Sequence, residues 1–286
     1  MEPVYSEMQR TLIQKYIRPM KPLPTSLKPG GALRANIRCV LFDMYGTLFI
    51  SGSGDIGSAD RSPDRMSKIK ELLKRYGLDK NPQTLLDEFH GAIEIRHAEL
   101  RNQGIDFPEV RIDRIWQQVL QIDDPETVTR FALEFEWISN PAYPMPYLAN
   151  LLDVCRKKKI LMGIISNAQF FTPYLFGWFL NEAPQTLGFD SDLIFYSYRY
   201  ETAKPSASLF EMAAVRLADK GIRPGAVLYV GNDMLNDIYP ARNAGFQTAL
   251  FAGDQRSLRL RTENPRCRDL RPDLVITDLE QLIRLI

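Results

Sequence analysis

The chain has 286 residues, 45% of them apolar and 25% charged, and a formal net charge of +1. That length supports a substantial core with a smaller second domain, and the near-neutral balance gives no reason to expect nucleic acid or an anionic membrane as partner. Three scattered cysteines argue against a disulfide framework or zinc site, two histidines leave little for a histidine-assisted serine or cysteine hydrolase, and no apolar run reaches the roughly 20 residues of a membrane span.

A cytoplasmic globular protein is the expectation. Residues 1–36 open with helical spacing (Met8, Leu12, Ile13, Tyr16) and continue as an arm through Pro19, Pro22, Pro24 and Pro29. Such an arm is expected to pack on the core or on a second subunit, so a homodimer is one expectation. Next, Ile37 and Cys39 to Phe42 form an apolar run that reads as a strand buried on both faces and ends at Asp43. Ligands bind at the carboxyl ends of strands in open α/β sheets, and an aspartate held there is a candidate nucleophile. The plainer reading is a strand end whose carboxylate caps the adjoining turn. Gly46 permits a sharp exit, and Thr47 offers a hydroxyl nearby.

The stretch Gly52 to Gly57 contains a literal G-x-G-x-x-G. A dinucleotide site would need those glycines to join a strand directly to a helix, with an acid ending the next strand. Neither condition is met, and a hinge is the better reading. Four amphipathic segments come next, introduced by Ser62-Pro63, Asn81-Pro82, Phe107-Pro108 and Asp124-Pro125. Proline at a first helical position followed by three- and four-residue apolar spacing predicts a helix each time. Within the second, Arg96 lies on the apolar stripe between Ile93 and Leu100; it either snorkels to the edge or reaches an anion. His90 and His97 share a face but lack a third ligand, which favours packing over metal binding.

From Pro146 helix and strand alternate, the α/β signature. Ile160 to Ile165 forms a strand ending at Ser166 and Asn167, where a hydroxyl and backbone amides can bind anionic oxygens or cap a helix. Lys204-Pro205 comes after another strand, and Val227 to Gly231 leads into Asn232, Asp233 and, four residues on, Asp237. Two carboxylates so spaced at a strand end can hold Mg²⁺ through oxygen. A capping box, Thr277 to Glu280, starts a terminal helix.

Taken in series, Asp43-Met44-Tyr45-Gly46-Thr47, Ser166-Asn167, Lys204-Pro205 and the Asp233/Asp237 pair resemble the four motifs of the haloacid dehalogenase-like superfamily. The resemblance implies an α/β fold: a Rossmann-like parallel-sheet core (residues 37–53 and 144–286) with a helical cap (54–143) inserted after the first motif. It also implies an Asp43 nucleophile, Thr47, Ser166, Asn167 and Lys204 around the transferred group, and Mg²⁺ on Asp43, the Tyr45 carbonyl, Asp233 and Asp237. Asn232 competes with Asp233 for the first position of the last motif. Tyr45 stands where phosphatases of the superfamily carry a second aspartate, and tyrosine there is the pattern of 2-haloacid dehalogenases. Against that, the dehalogenases place serine and asparagine where this chain keeps Asp233 and Asp237, and Phe210 replaces their tyrosine. Arg96 matches the cap arginine that grips a haloacid carboxylate. The leading expectation is a Mg²⁺-dependent phosphohydrolase acting on a small phosphorylated metabolite with an activated leaving group. A metal-independent 2-haloacid dehalogenase comes second and a catalytically impaired binding protein third.

Overall fold

The computed structural model describes residues 11–12, 14–53 and 62–286. Its main sheet has seven strands in the order β1 (Gly30–Gly31), β9 (Leu274–Ile276), β8 (Gln247–Phe251), β7 (Val227–Gly231), β2 (Cys39–Phe42), β5 (Leu161–Ser166) and β6 (Phe189–Tyr196). All neighbours run parallel except β1 on β9. Every residue of β2 is fully buried. Its alternation explains why: Val40 and Phe42 pack with Leu152 and Ile164 on one face, Cys39 and Leu41 with Phe195 and Leu209 on the other. The chain runs from β2 to β5 and β6 on one side, then crosses to β7 on the other. That reversal opens a crevice at the carboxyl ends of β2 and β7.

Between β3 (Phe49–Ser51) and β4 (Ala142–Pro144), which pair antiparallel, lie the helices α1 (Pro63–Arg75), α2 (Pro82–Asn102), α3 (Ile112–Leu120) and α4 (Pro125–Ser139). Ser62, Asn81 and Asp124 cap α1, α2 and α4 through their side chains, as their sequence signals predict. These helices enclose their own aromatic core, in which Phe89 stacks on Trp116 at 4.1 Å between centroids.

Several expectations shift. Helix α3 begins at Ile112 rather than at Pro108, because Pro108 bridges Thr202 and Ala203 N–H donates to the Phe107 carbonyl at 2.7 Å, tying this segment to the core. The terminal helix Leu279–Leu285 is capped by Asp278, whose carboxylate accepts from Glu280 N–H, while Thr277 N–H bonds to Gln281; the expected Thr277 to Glu280 box does not form. Most of the expected hinge at Gly52 to Gly57 lies outside the described residues, though Gly52 N–H donates to the Pro141 carbonyl across the base of the β3–β4 ribbon.

The N-terminal arm packs on its own chain, and its Gly30–Gly31 adds an unexpected edge strand. Buried Glu134 of α4 anchors the arm, accepting hydrogen bonds from Tyr16 at 2.5 Å and Tyr76 at 3.0 Å and pairing with Lys15 and Arg75. Burial pushes its pKa up, but those four partners outweigh burial and hold it below the usual carboxylate range. Glu134→Gln is expected to lower the unfolding free energy by about 1–3 kcal/mol, read from the urea midpoint. Since the folded pKa is the lower one, the deficit is full above the unfolded value of about 4.3. It vanishes as pH falls through the lower, folded value.

Candidate active site

Asp43 is the first residue beyond β2, and its N–H donates to the Val230 carbonyl at 2.9 Å, continuing the ladder to β7. The chain then turns around the Met44 carbonyl, which accepts from the N–H groups of Thr47, Leu48 and Phe49. Gly46 makes that turn at φ +83°, where a Cβ would fall 2.4 Å from Ser257 Cβ and 2.5 Å from Asn232 Nδ2. The Asp43 carboxylate is 6% exposed, and its Oδ1 accepts from Ser166 Oγ at 2.9 Å and Lys204 Nζ at 2.7 Å. One carboxylate oxygen is thus fixed from behind while Oδ2 is left for chemistry.

Lys204 Nζ also donates to Asp237 Oδ1 at 2.5 Å and to the Tyr229 hydroxyl at 3.1 Å. Burial opposes charge on the lysine, but Asp237 and Asp43 outweigh it and hold its pKa above the ordinary value. Asn167 secures the lysine backbone at both ends: Oδ1 accepts from Lys204 N–H at 2.7 Å and Nδ2 donates to the Lys204 carbonyl at 3.1 Å. Its side-chain amide is thus committed to the Lys204 backbone, while the residue also lines the cavity.

Asp233 caps the start of a π-helical turn, Met234–Ile238, after β7, and Asp237 lies within that turn. Asp237 sits so close to β7 that a Cβ on Gly231 would lie 2.4 Å from its Cγ. Asp237 Oδ2 accepts from Asp233 N–H, and its Oδ1 lies 3.0 Å from the Tyr229 hydroxyl besides Lys204. Asp233 Oδ1 caps the turn through Leu235 and Asn236 N–H, and Oδ2 accepts from Arg261 Nη2 at 2.7 Å. Of the oxygens expected to hold Mg²⁺, those of Asp233 and Asp237 are therefore matched to an ammonium, a guanidinium and N–H donors, and Asp43 Oδ1 to the same ammonium. Mg²⁺ needs near-octahedral oxygen ligation at about 2.0–2.1 Å. Among the described residues no group of three acidic, histidine or cysteine side chains is placed to hold a metal ion. As arranged, this donor set does not fit Mg²⁺, and Lys204 and Arg261 stand where its charge was expected.

A cavity of about 440 Å³ separates this floor from the helices above. Asp43, Lys204, Asp233 and Asp237 lie on the core side; Phe89, Trp116, Phe135, His90, His97, Arg65 and Glu136 line the cap side. Tyr45 lies between them with its hydroxyl 3.2 Å from Thr172 Oγ1; burial first, then the charges of Glu136 and Asp43, push the phenol well above its ordinary pKa, so it stays neutral. Thr47 and Ser166 are fully buried behind the wall rather than in it. Arg96 also lies outside the wall, paired at 2.9 Å with Glu99 and with Glu201 of the core; it ties cap to core instead of reaching the cleft.

Sequence reading missed Arg65, Glu109, Glu136, Gln169, Tyr229 and Arg261. Tyr229, a lone phenol in a buried apolar strand, was the only one with a local signal. Glu109 spans cap and core, accepting from Ser197 Oγ at 2.7 Å, Val110 N–H at 2.9 Å and Gln169 Nε2 at 3.1 Å.

The family model described as haloacid dehalogenase-like hydrolase matches residues 37–245. No curated protein sequence matches the chain. Among solved structures, a 2-haloacid dehalogenase from Pseudomonas syringae pv. tomato is similar at 18% identity and TM-score 0.54, covering 87% of this chain and 97% of that one. A defluorinating L-2-haloacid dehalogenase is similar at 18% identity and TM-score 0.50, covering 92% and 99%. A predicted phosphoglycolate phosphatase from Haemophilus somnus has 15% identity and TM-score 0.49, covering 88% and 98%. At these identities the likeness concerns the fold.

Replacing Lys204 by Met leaves Asp43 and Asp237 facing each other without a cation. The expected loss of stability is about 3–5 kcal/mol near neutral pH, measured by urea unfolding. Burial already raises the Asp237 carboxyl in the native protein. A raised carboxylate destabilises above its unfolded pKa and is relieved by protonation, so the deficit of the variant is expected to shrink toward about pH 5.

Proposed function

The chain belongs to the haloacid dehalogenase-like hydrolases, and within that family we propose that it hydrolyses a small 2-haloacid through an ester on Asp43, without a metal ion. The observation that carries the reading is how the charge of the site is already matched: Lys204 serves Asp43 and Asp237 together, and Arg261 serves Asp233. A phosphate ester brings a charge of roughly −1.5 to −2 to an attacking carboxylate, and neither of these cations is uncommitted to receive it. A 2-haloacid brings one negative charge, held away from the reacting carbon. The cap-side Arg65 lining the cavity has the sign to suit it.

Leaving-group chemistry points the same way. An alkoxide needs a proton as it departs, whereas halide does not. Tyr45, neutral and hydrogen-bonded to Thr172, is a poor donor beside Asp43. In the proposed reaction Asp43 Oδ2 attacks the halogen-bearing carbon; a C–O bond forms while the carbon–halogen bond breaks and halide leaves with the electron pair. Water then attacks Asp43 Cγ, and Lys204 Nζ and Ser166 Oγ, both on Oδ1, stabilise the charge developing on that oxygen. The hydroxy acid departs and the carboxylate is restored. Closure of the cap over the cavity would exclude bulk water from the ester.

A Mg²⁺-dependent phosphohydrolase is the second reading, favoured by the two carboxylates four residues apart after β7. It requires Lys204 and Arg261 to yield Asp237 and Asp233 to the ion.

Chloride release from 2-chloropropionate is expected to persist with a chelator and to fall by at least about 10³-fold in Asp43→Asn. Turnover in ¹⁸O-water is expected to leave label in the Asp43 carboxylate, read by peptide mass spectrometry. Mg²⁺-dependent phosphate release from a panel of phosphate esters, with no halide release, would overturn the reading.

A further inference from the structure

Resting on the dehalogenation reading, we infer that Glu136, carried into the cavity by α4, is the base that takes a proton from the water hydrolysing the Asp43 ester. The other acidic and phenolic groups around the cavity are engaged. Asp237 has Lys204 and the Tyr229 hydroxyl at Oδ1 and Asp233 N–H on Oδ2. Asp233 holds Arg261 and the π-turn, and Glu109 has both oxygens in the brace to Ser197, Val110 and Gln169. Tyr45 is tied to Thr172.

Glu136 lines the same cavity as Asp43, and its hydrogen bond comes from Asn140 Nδ2 at 3.3 Å, onto Oε1. That leaves Oε2 to take a proton. The Tyr45 phenol feels the charges of Glu136 and Asp43 alike, so both carboxylates lie within electrostatic reach of one ring. Nothing in the helix favours an acid here: Glu136 sits in the last turn of α4, between Phe135 and Trp137, where the dipole disfavours negative charge. A perturbed acid lining a cavity is a candidate for a role in its chemistry. Arg65 from α1 acts on it electrostatically, and the other charged and titratable groups lining the same cavity are His90 and His97 from α2, Tyr45 and Asp43 from the turn after β2, and Glu109, Lys204, Asp233, Asp237, Arg259 and Arg261. Burial raises the Glu136 carboxyl to about 7, against Asn140 and Arg65, which leaves it partly ionised near neutrality and suited to accept a proton.

The step balances. Water oxygen bonds to Asp43 Cγ as one water proton moves to Glu136. The Cγ–O ester bond then breaks with its electron pair going to the product oxygen, which takes that proton. The second water proton is released as Asp43 ionises again.

The test compares native protein, Glu136→Gln and Glu136→Asp on 2-chloropropionate, reading chloride in the first turnover, steady-state kcat against pH, and intact protein mass. Glu136→Gln is expected to release one equivalent of chloride, accumulate the Asp43 ester as a mass adduct, and lose about 10²- to 10⁴-fold in steady-state kcat. It should also lose the rise of kcat with pH expected of the native protein around pH 7. Glu136→Asp should recover part of the rate, and an unchanged thermal midpoint shows that the fold is intact. Native-like turnover and pH profile in Glu136→Gln would overturn the inference while leaving dehalogenation standing. Failure of the native protein itself to release chloride or form an adduct would overturn both.

Discussion

An ammonium buried between two carboxylates is tolerable only if each partner is held at hydrogen-bond distance, because desolvation of three charged groups must be offset by their attraction. Lys204, Asp43 and Asp237 come from three different segments, the loop beyond β6 and the turns after β2 and β7, with the carboxylates at 2.7 and 2.5 Å from the lysine nitrogen. The surrounding architecture serves that geometry. Parallel pairing of β2 with β7 fixes Asp43 beside the turn that bears Asp237, the missing side chain of Gly231 admits the Asp237 carboxylate, and Asn167 clamps the Lys204 backbone. The Tyr229 phenol completes the set from inside β7.

The same triad sets the chemical character of the site. Its positive charge is already shared between Asp43 and Asp237, and it is on this sharing that the proposed reading rests. Above it the cavity changes character, from ionic floor to aromatic roof. Phe89, Trp116 and Phe135 belong to the cap core and also form its wall, so cavity shape is coupled to the packing of the cap itself. Among the described residues the cap is fastened to the core by the β3–β4 ribbon, by the Phe107 to Val110 segment against Gln169 and Ala203, and by Arg96 on Glu201. The N-terminal arm adds a further tie through Glu134.

The fold was legible because its signals are local. A double-faced apolar strand, three proline-led helices with side-chain caps, and repeated helix–strand alternation each depend on residues within one turn or one strand of each other. Except at the terminal helix, where neighbouring Asp278 takes the cap from Thr277, a local signal was overruled by a distant partner. Pro108 bridges Thr202, Arg96 answers Glu201, and the Gly30–Gly31 edge strand exists only because β9 lies beside it.

The sequence by itself determined that Asp43, Ser166, Asp233 and Asp237 stand at or just beyond strand ends and that Lys204 follows a strand, because strand period and strand termination are written in neighbouring residues. Only the tertiary structure decided what those residues do to one another. Whether Asp233 and Asp237 were open to a cation depended on Arg261 and Lys204, which lie 28 and 33 residues away in sequence. That Arg65 and Glu136 enter the cavity depended on how helices α1 and α4 pack, since a charged residue on an amphipathic helix looks the same in sequence whether it meets solvent or an enclosed site.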